Sequence, residues 1–168
     1  MAERRERALW CLMVALTLLL DQSSKYLVHQ YMGFRRQIEV IPHLLNITYV
    51  ENRGGAFGIF ATSDSPWKLL IFSSLSIIAL LIIIYFSIKL PLRERLTHLG
   101  LSLILGGAIG NFADRLRLGF VIDFIDLHWY RFHWPAFNIA DVAICTGVAI
   151  LIITTLKPRT ESKANGVV

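Results

Sequence analysis

Apolar residues along this chain fall in four long blocks, separated by stretches where polar residues, glycines and aromatics crowd together. The first block runs from about Ala8 to Leu27 and is interrupted by Asp21 and Lys25. The second, Leu69 to Ile88, is uncharged throughout and has the length a bilayer core demands of a helix. The third, Thr97 to Ala113, and the fourth, Val142 to Leu156, are shorter and free of Asp, Glu, Lys and Arg; both can extend through polar flanks that face the protein interior. Between the first two blocks, "QIEVI" and "NITYV" alternate polar and apolar positions with β-branched residues, which predicts short strands. The adjacent glycines of "ENRGGAFG" then permit a tight turn. The pattern predicts an all-α integral membrane fold. Its four transmembrane helices are expected at about 8–28, 67–88, 97–115 and 138–156, with outer loops at about 29–66 and 116–137. A small sheet is expected on the outer membrane surface, and residues 1–168 form one domain.

Composition supports this. Hydrophobic residues make up 55% of the chain and charged residues 17%, against about 25% charged in soluble domains. The formal charge of +5 does not read as a nucleic-acid surface, because the basic residues lie beside the apolar blocks. Nine of them (Arg4, Arg5, Arg7, Lys89, Arg93, Arg95, Lys157, Arg159, Lys163) fall on one side of the predicted membrane. Seven (Arg35, Arg36, Arg53, Lys68, Arg115, Arg117, Arg131) fall in the longer loops of the other. The bias places both termini in the cytoplasm. Trp67, Trp129, Tyr130 and Trp134 then belong to an aromatic belt at the outer interface. The N-terminus has the basic start and apolar core of a signal peptide but lacks a small-residue cleavage site, so it reads as an uncleaved first span. Cys11 and Cys145 have no metal or redox spacing and read as small buried hydrophobes.

In this topology the polar residues of the spans gather at one level. Asp21 and Lys25 end span one; Asn52 follows in the outer loop; Asn111, Asp114 and Arg115 share a helical face at the end of span three. Asp123 and Asp126 come next, and Asn138 and Asp141 open span four. Each also has a structural reading. Asp114 and Arg115 fit interfacial residues, Asp21 and Lys25 an i, i+4 pair, and Asn138 and Asp141 a helix cap and its N3 partner. Asp126 reads as a solvated loop residue or the partner of a nearby arginine. His128 and His133 stand five apart, a spacing that does not stack on a helix, so no metal is expected. No GxSxG or HExxH occurs. Two aspartates from different segments in a partly dry site would share a proton, one activating water and the other protonating a carbonyl.

"LDQSSKYLV", "ENRGGAFG", "GGAIGNFADRLRLGFVIDFID" and "FNIADVAI", in this order, make the chain resemble bacterial lipoprotein signal peptidase (signal peptidase II) over essentially its whole length. One departure is Gly55, where the family commonly has alanine. The resemblance implies four transmembrane helices with a small extracytoplasmic β-cradle. It implies a cofactor-independent aspartic endopeptidase of the bacterial inner membrane that removes the signal peptide of diacylglyceryl-modified prolipoproteins, cutting just before the lipidated cysteine. The catalytic pair it implies is Asp123 and Asp141, with Asn52, Gly54, Asn111, Arg115, Asn138, Asp21 and Lys25 lining or supporting the site. The expected partners are these substrates and membrane lipids; no nucleic acid is expected, and the chain is expected to be monomeric. Two other classes compete: a small channel or proton-coupled transporter, whose sites sit nearer the midplane, and a non-enzymatic scaffold whose polar groups only satisfy one another.

Overall fold

In the computed structural model, residues 2–33, 37–54 and 67–156 are described. The expected turn at Gly55, and the basic residues Arg35, Arg36, Lys157, Arg159 and Lys163, lie outside them. The elements are α1 (Ala2–Met32), β1 (Ile38–Ile41), β2 (Leu45–Asn52), α2 (Trp67–Lys89), α3 (Arg95–Leu118), β3 (Val121–Trp129), β4 (Phe132–His133) and α4 (Ile139–Leu156). Among the described residues four helices are long and apolar enough to cross a membrane.

By its apolar block α1 would end near residue 28. It runs on to Met32 because its last turns have a second use: Val28 and Met32 pack against Tyr49, Ile122 and Phe124 of the sheet. This small core seats an antiparallel sheet, ordered β1-β2-β3-β4, on the end of the helices. β2 and β3 pair Asn46 with Asp126 and Val50 with Asp123, with a register shift between Ile47 and Val50. α3 stops at Gly119, whose left-handed φ of 80° suits glycine and whose N–H closes on the Arg115 carbonyl at 3.1 Å. The chain then enters β3 directly, so the end of α3 and the start of the strand are held side by side.

The helices meet through small residues, as expected where lipid supplies no hydrophobic drive for association. A Cβ on Gly107 of α3 would stand 2.5 Å from the Ala140 carbonyl oxygen and 2.9 Å from Ile144 Cγ1 of α4. One on Gly106 would stand 2.7 Å from Thr17 Cβ of α1. The rest of the helix surface is greasy and exposed; Cys11 and Cys145 are part of it, not buried as their apolar setting suggested. Both lie on helix faces that no described residue covers.

Filling the α3–α4 contact should therefore loosen the fold. We expect Gly107→Leu to cost about 1–3 kcal/mol through overpacking, read as a lower thermal midpoint in detergent. An unchanged midpoint would show that the two helices are not pressed together at this point.

Candidate active site

α1 delivers Asp21, Gln22 and Lys25 to the level where α3 ends and α4 begins. Lys25 is 1% exposed. Its Nζ lies 2.9 Å from Asp21 Oδ2 and 2.8 Å from Asp114 Oδ2, and donates to Asn111 Oδ1 at 2.7 Å. Three donors meet three acceptors, the full capacity of an ammonium group. Asp21 turns its other oxygen to α4, where the Ala140 N–H donates to it at 2.9 Å and so loses its orphan status in the first helical turn. Gln22 Nε2 reaches Asp114 Oδ1 at 2.9 Å, Asp21 Oδ2 at 3.1 Å and the Gly110 carbonyl at 3.2 Å. Asp114 Oδ2 also accepts the Ile122 N–H of β3 at 3.4 Å.

Beside this ionic cluster stand Asp123 and Asp141. The Asp141 N–H donates to Asn138 Oδ1 at 3.0 Å, and the Asn138 N–H donates to Asp141 Oδ2 at 3.2 Å. That is a reciprocal helix cap, as the spacing suggests. The same side chains do more. Asn138 Nδ2 donates to Asp123 Oδ1 at 2.6 Å and also lies 3.2 Å from Asn111 Oδ1, while Asn111 Nδ2 donates to Asp141 Oδ1 at 2.8 Å. Asn138 and Asn111 thus connect the two carboxylates. Asn52 of β2 completes the shell, donating to Asp123 Oδ2 at 2.9 Å while its own Oδ1 accepts the Gly54 N–H at 2.9 Å. The Arg115 guanidinium lies at the rim, 6.0 Å from the Phe72 ring centre and within long, 3.4 Å contacts of the Gly54 and Asn111 carbonyls.

Three residues apart on β3, Asp123 and Asp126 are driven in opposite directions. Burial pushes the Asp123 carboxyl up to about 7, and the neighbouring Asp141 charge adds to this; hydrogen bonds from Asn52 and Asn138 and the charge of Lys25 oppose it. Burial would raise Asp126 too, but hydrogen bonds from Asn46 and His133 and the charges of His133 and His128 hold it below the ordinary carboxylate range. The difference is chemical. Asp123 keeps a proton available near neutral pH, whereas Asp126 is a spent acceptor.

The structure brings all nine residues expected of the site, Asp21, Lys25, Asn52, Gly54, Asn111, Arg115, Asp123, Asn138 and Asp141, into one connected region. Two readings of neighbouring residues change. Asp114 is not interfacial: it is 3% exposed and bound to Lys25. Asp126 is not solvated, and among the described residues it has no arginine partner. It is 8% exposed, accepts from Asn46 Nδ2 at 2.9 Å and lies 2.8 Å from His133 Nδ1. Sequence reasoning also passed over Gln22, although it sits between Asp21 and Lys25 on the same helix end. His128 and His133 stack ring on ring at 4.8 Å. Among the described residues no group of three or more His, Cys, Asp or Glu is placed to hold a metal ion.

The geometry can be set against known proteins. The chain is 39% identical to the lipoprotein signal peptidase of Francisella tularensis subsp. novicida over 158 residues, covering 94% of this chain and 98% of that one. It is 45% identical to the lipoprotein signal peptidase of Geobacter sulfurreducens over 141 residues, covering 84% and 87%. A solved bacterial membrane enzyme superposes with a TM-score of 0.82 at 37% identity, covering 96% of this chain and 95% of that one. A second superposes with a TM-score of 0.78 at 38% identity, covering 89% and 94%. The family model for signal peptidase (SPase) II matches residues 13–157, and the chain belongs to that family.

Proposed function

We propose that Asp123 and Asp141 are the catalytic pair through which this membrane aspartic endopeptidase removes the signal peptide of diacylglyceryl-modified prolipoproteins, cutting just before the lipidated cysteine. The observation that carries this reading is the linkage of Asp123 and Asp141 through Asn138 and Asn111 at the end of the helix bundle. Two carboxylates so placed hold one proton between them. The ionised member takes a proton from water as the water oxygen attacks the scissile carbonyl carbon. The protonated member gives its proton to the carbonyl oxygen. Collapse of the tetrahedral species breaks the C–N bond. The carboxyl that took the water proton gives it to the leaving amine, and the other carboxylate takes a hydroxyl proton as the carbonyl re-forms. This restores the singly protonated pair. Asn52, Asn111 and Asn138 donate neutral hydrogen bonds and so hold the carboxylates without adding charge. Arg115, which no carboxylate among the described residues binds, can meet substrate carbonyls or lipid phosphate. Asp21 and Lys25 support the site from α1, and Gly54 holds Asn52 from the loop side.

The enzyme on this reading sits as a monomer in the bacterial cytoplasmic (inner) membrane, with both termini in the cytoplasm, the sheet and the aspartates at the outer face, and membrane lipid around it. Contacts at the other end of the bundle support this. Arg95 at the start of α3 pairs with Glu6 of α1 at 2.6 Å, so the basic start of α1 and the basic α2–α3 connection share one end, opposite the aspartates. The exposed rings of Trp129, Tyr130, Phe132 and Trp134 lie on the sheet side, at the level where an interfacial belt belongs.

Amide substitution in purified enzyme tests the pair. We expect Asp123→Asn and Asp141→Asn to keep the thermal midpoint within a few degrees and to lose nearly all cleavage of a diacylglyceryl-bearing prolipoprotein. Asp126→Asn should keep substantial activity, and the unlipidated precursor should be cut far more slowly than the lipidated one. Normal cleavage by Asp141→Asn would reduce that residue to a helix cap.

The pH profile has a definite sign. A carboxyl raised to about 7 stays protonated below that pH and ionises above it, leaving the pair without its acid. Cleavage measured as kcat/KM should therefore fall by about tenfold per pH unit on the alkaline side. A rate that is flat to pH 9 would mean that Asp123 does not donate the proton.

Orientation is tested on a background lacking Cys11 and Cys145. A cysteine at Phe132 should react with a membrane-impermeant thiol reagent from outside intact cells, and one at Arg93 only after the membrane is opened. The reverse pattern would put the aspartates on the cytoplasmic face.

A further inference from the structure

Each of the three asparagines in the site turns its amide nitrogen to a carboxylate and has its amide oxygen held by another donor. Asn52 Oδ1 accepts the Gly54 N–H at 2.9 Å, and Asn138 Oδ1 accepts the Asp141 N–H at 3.0 Å. Both holds are backbone. The third differs: Asn111 Oδ1 accepts Lys25 Nζ at 2.7 Å, a side chain from another helix. Which way an amide faces decides whether its neighbour meets a donor or an acceptor, and a half-turn about the last side-chain bond exchanges the two.

Lysine is suited to this hold because its ammonium group only donates. A flipped Asn111 would set its NH₂ against Lys25 Nζ, donor against donor, at a lysine only 1% exposed. Lys25 is itself immobile, gripped by Asp21 Oδ2 at 2.9 Å and Asp114 Oδ2 at 2.8 Å. Among the described residues, the other donor near Asn111 Oδ1 is Asn138 Nδ2 at 3.2 Å, which is longer and uncharged, and whose hydrogens also serve Asp123 at 2.6 Å and the Ile122 carbonyl at 3.3 Å.

Resting on the assignment of Asp123 and Asp141 as the catalytic pair, we propose that Lys25 is a positioning residue: by occupying Asn111 Oδ1, it keeps Asn111 Nδ2 on Asp141 Oδ1 and so holds Asp141 as an ionised acceptor. Asp141 then receives an N–H on each oxygen, from Asn111 Nδ2 at 2.8 Å and from the Asn138 backbone at 3.2 Å. With Asn111 flipped, Asp141 Oδ1 would face an amide oxygen and could bond to it only by carrying the proton itself. Asp21 and Asp114, by gripping Lys25, belong to the same device. They act on Asp141 through two intervening side chains, Lys25 and Asn111.

A double-mutant cycle separates this from a plain effect of charge. Among the described residues, the charged groups that act on Asp141 are Lys25 and Asp21 of α1, Arg115 of α3 and Asp123 of β3, so removing Lys25 alters the field as well as the amide. Lys25→Met should lower kcat on the order of a hundredfold, the scale of a misplaced catalytic group, with KM little changed. It should also move the acid limb of the kcat profile to higher pH. Asn111→Leu, which has no amide to flip, should cost a similar factor. In the Asn111→Leu background, Lys25→Met should cost no more than a further two- to threefold or so, because the route through the amide is already gone. Multiplicative losses would overturn the proposal, since Lys25 would then act on Asp141 by charge alone; an unchanged kcat in Lys25→Met would overturn it too. If Lys25→Met does not fold, the same cycle is run on Asp114→Asn enzyme, where removing the lysine leaves the cluster's net charge as it is in the unsubstituted protein. Asp141→Asn is assayed alongside. Cleavage by that variant would sink the catalytic pair, whereas a dead Asp141→Asn with additive Lys25 and Asn111 effects would sink only the amide hold.

Discussion

An ammonium group withdrawn from water must find its partners inside the protein, and Lys25 finds three from α3 and its own helix. In a bilayer there is no solvent to make good a missing partner, and breaking one such buried pair costs about 3–5 kcal/mol. The apolar faces of the helices could slide past one another with little penalty, since lipid is as good a neighbour as leucine. The ionic cluster cannot slide. It sets α1 against α3 through Lys25 and Asp114, α1 against α4 through Asp21 and the Ala140 N–H, and α3 against β3 through Asp114 and the Ile122 N–H. Everything else in the site is placed relative to that knot.

The start of α4 illustrates how structural and chemical roles share atoms. A helix entering this dry region has four orphan N–H groups to satisfy. Asn138 and Asp141 satisfy two reciprocally, and Asp21 satisfies a third from outside. The cap consumes Asn138 Oδ1 and Asp141 Oδ2 in part, yet leaves Asn138 Nδ2 for Asp123 and Asp141 Oδ1 for Asn111. If Asp123 and Asp141 are the catalytic pair proposed above, capping and catalysis are not rival accounts of these residues. The cap is what aims them.

Much of the fold was legible in the hydrophobic pattern, because helix length in a membrane is set by bilayer thickness and strands betray themselves by alternation. What the pattern missed has physical causes. α1 outruns its apolar block because Val28 and Met32 pack on the sheet, a contact between residues distant in sequence. Cys11 and Cys145 sit on exposed faces because an apolar neighbourhood along the chain does not distinguish lipid-facing from protein-facing positions. The nine residues of the candidate site came from four motifs, and the structure links them. The roles of Asp114, Gln22 and Asp126 were not readable there, because each depends on a partner 80 or more residues away: Lys25 and Gln22 for Asp114, and Asn46 for Asp126.

Asp123 and Asp126 show how finely the sheet makes that distinction. Spacing along "VIDFID" treats them alike. Across the strands, however, Asp126 pairs opposite Asn46 and meets His133, whereas past the register shift in β2 Asp123 is turned toward Asn138, Asn52 and the second carboxylate. One aspartate is neutralised by a potential cation; the other is pressed against a like charge and kept dry. A shared proton requires that dryness, and a membrane-bound substrate requires that the dry spot lie near the interface. Each buried lipid CH₂ contributes about 0.8 kcal/mol to holding such a substrate in the membrane, so two acyl chains confine the scissile bond to a thin layer without any contact from the enzyme. On the proposed catalytic reading, the protein then needs only to place Asp123 and Asp141 within that layer. A sheet seated on the ends of the spans does so, bringing Asp123 down from β3 to meet Asp141 rising at the start of α4.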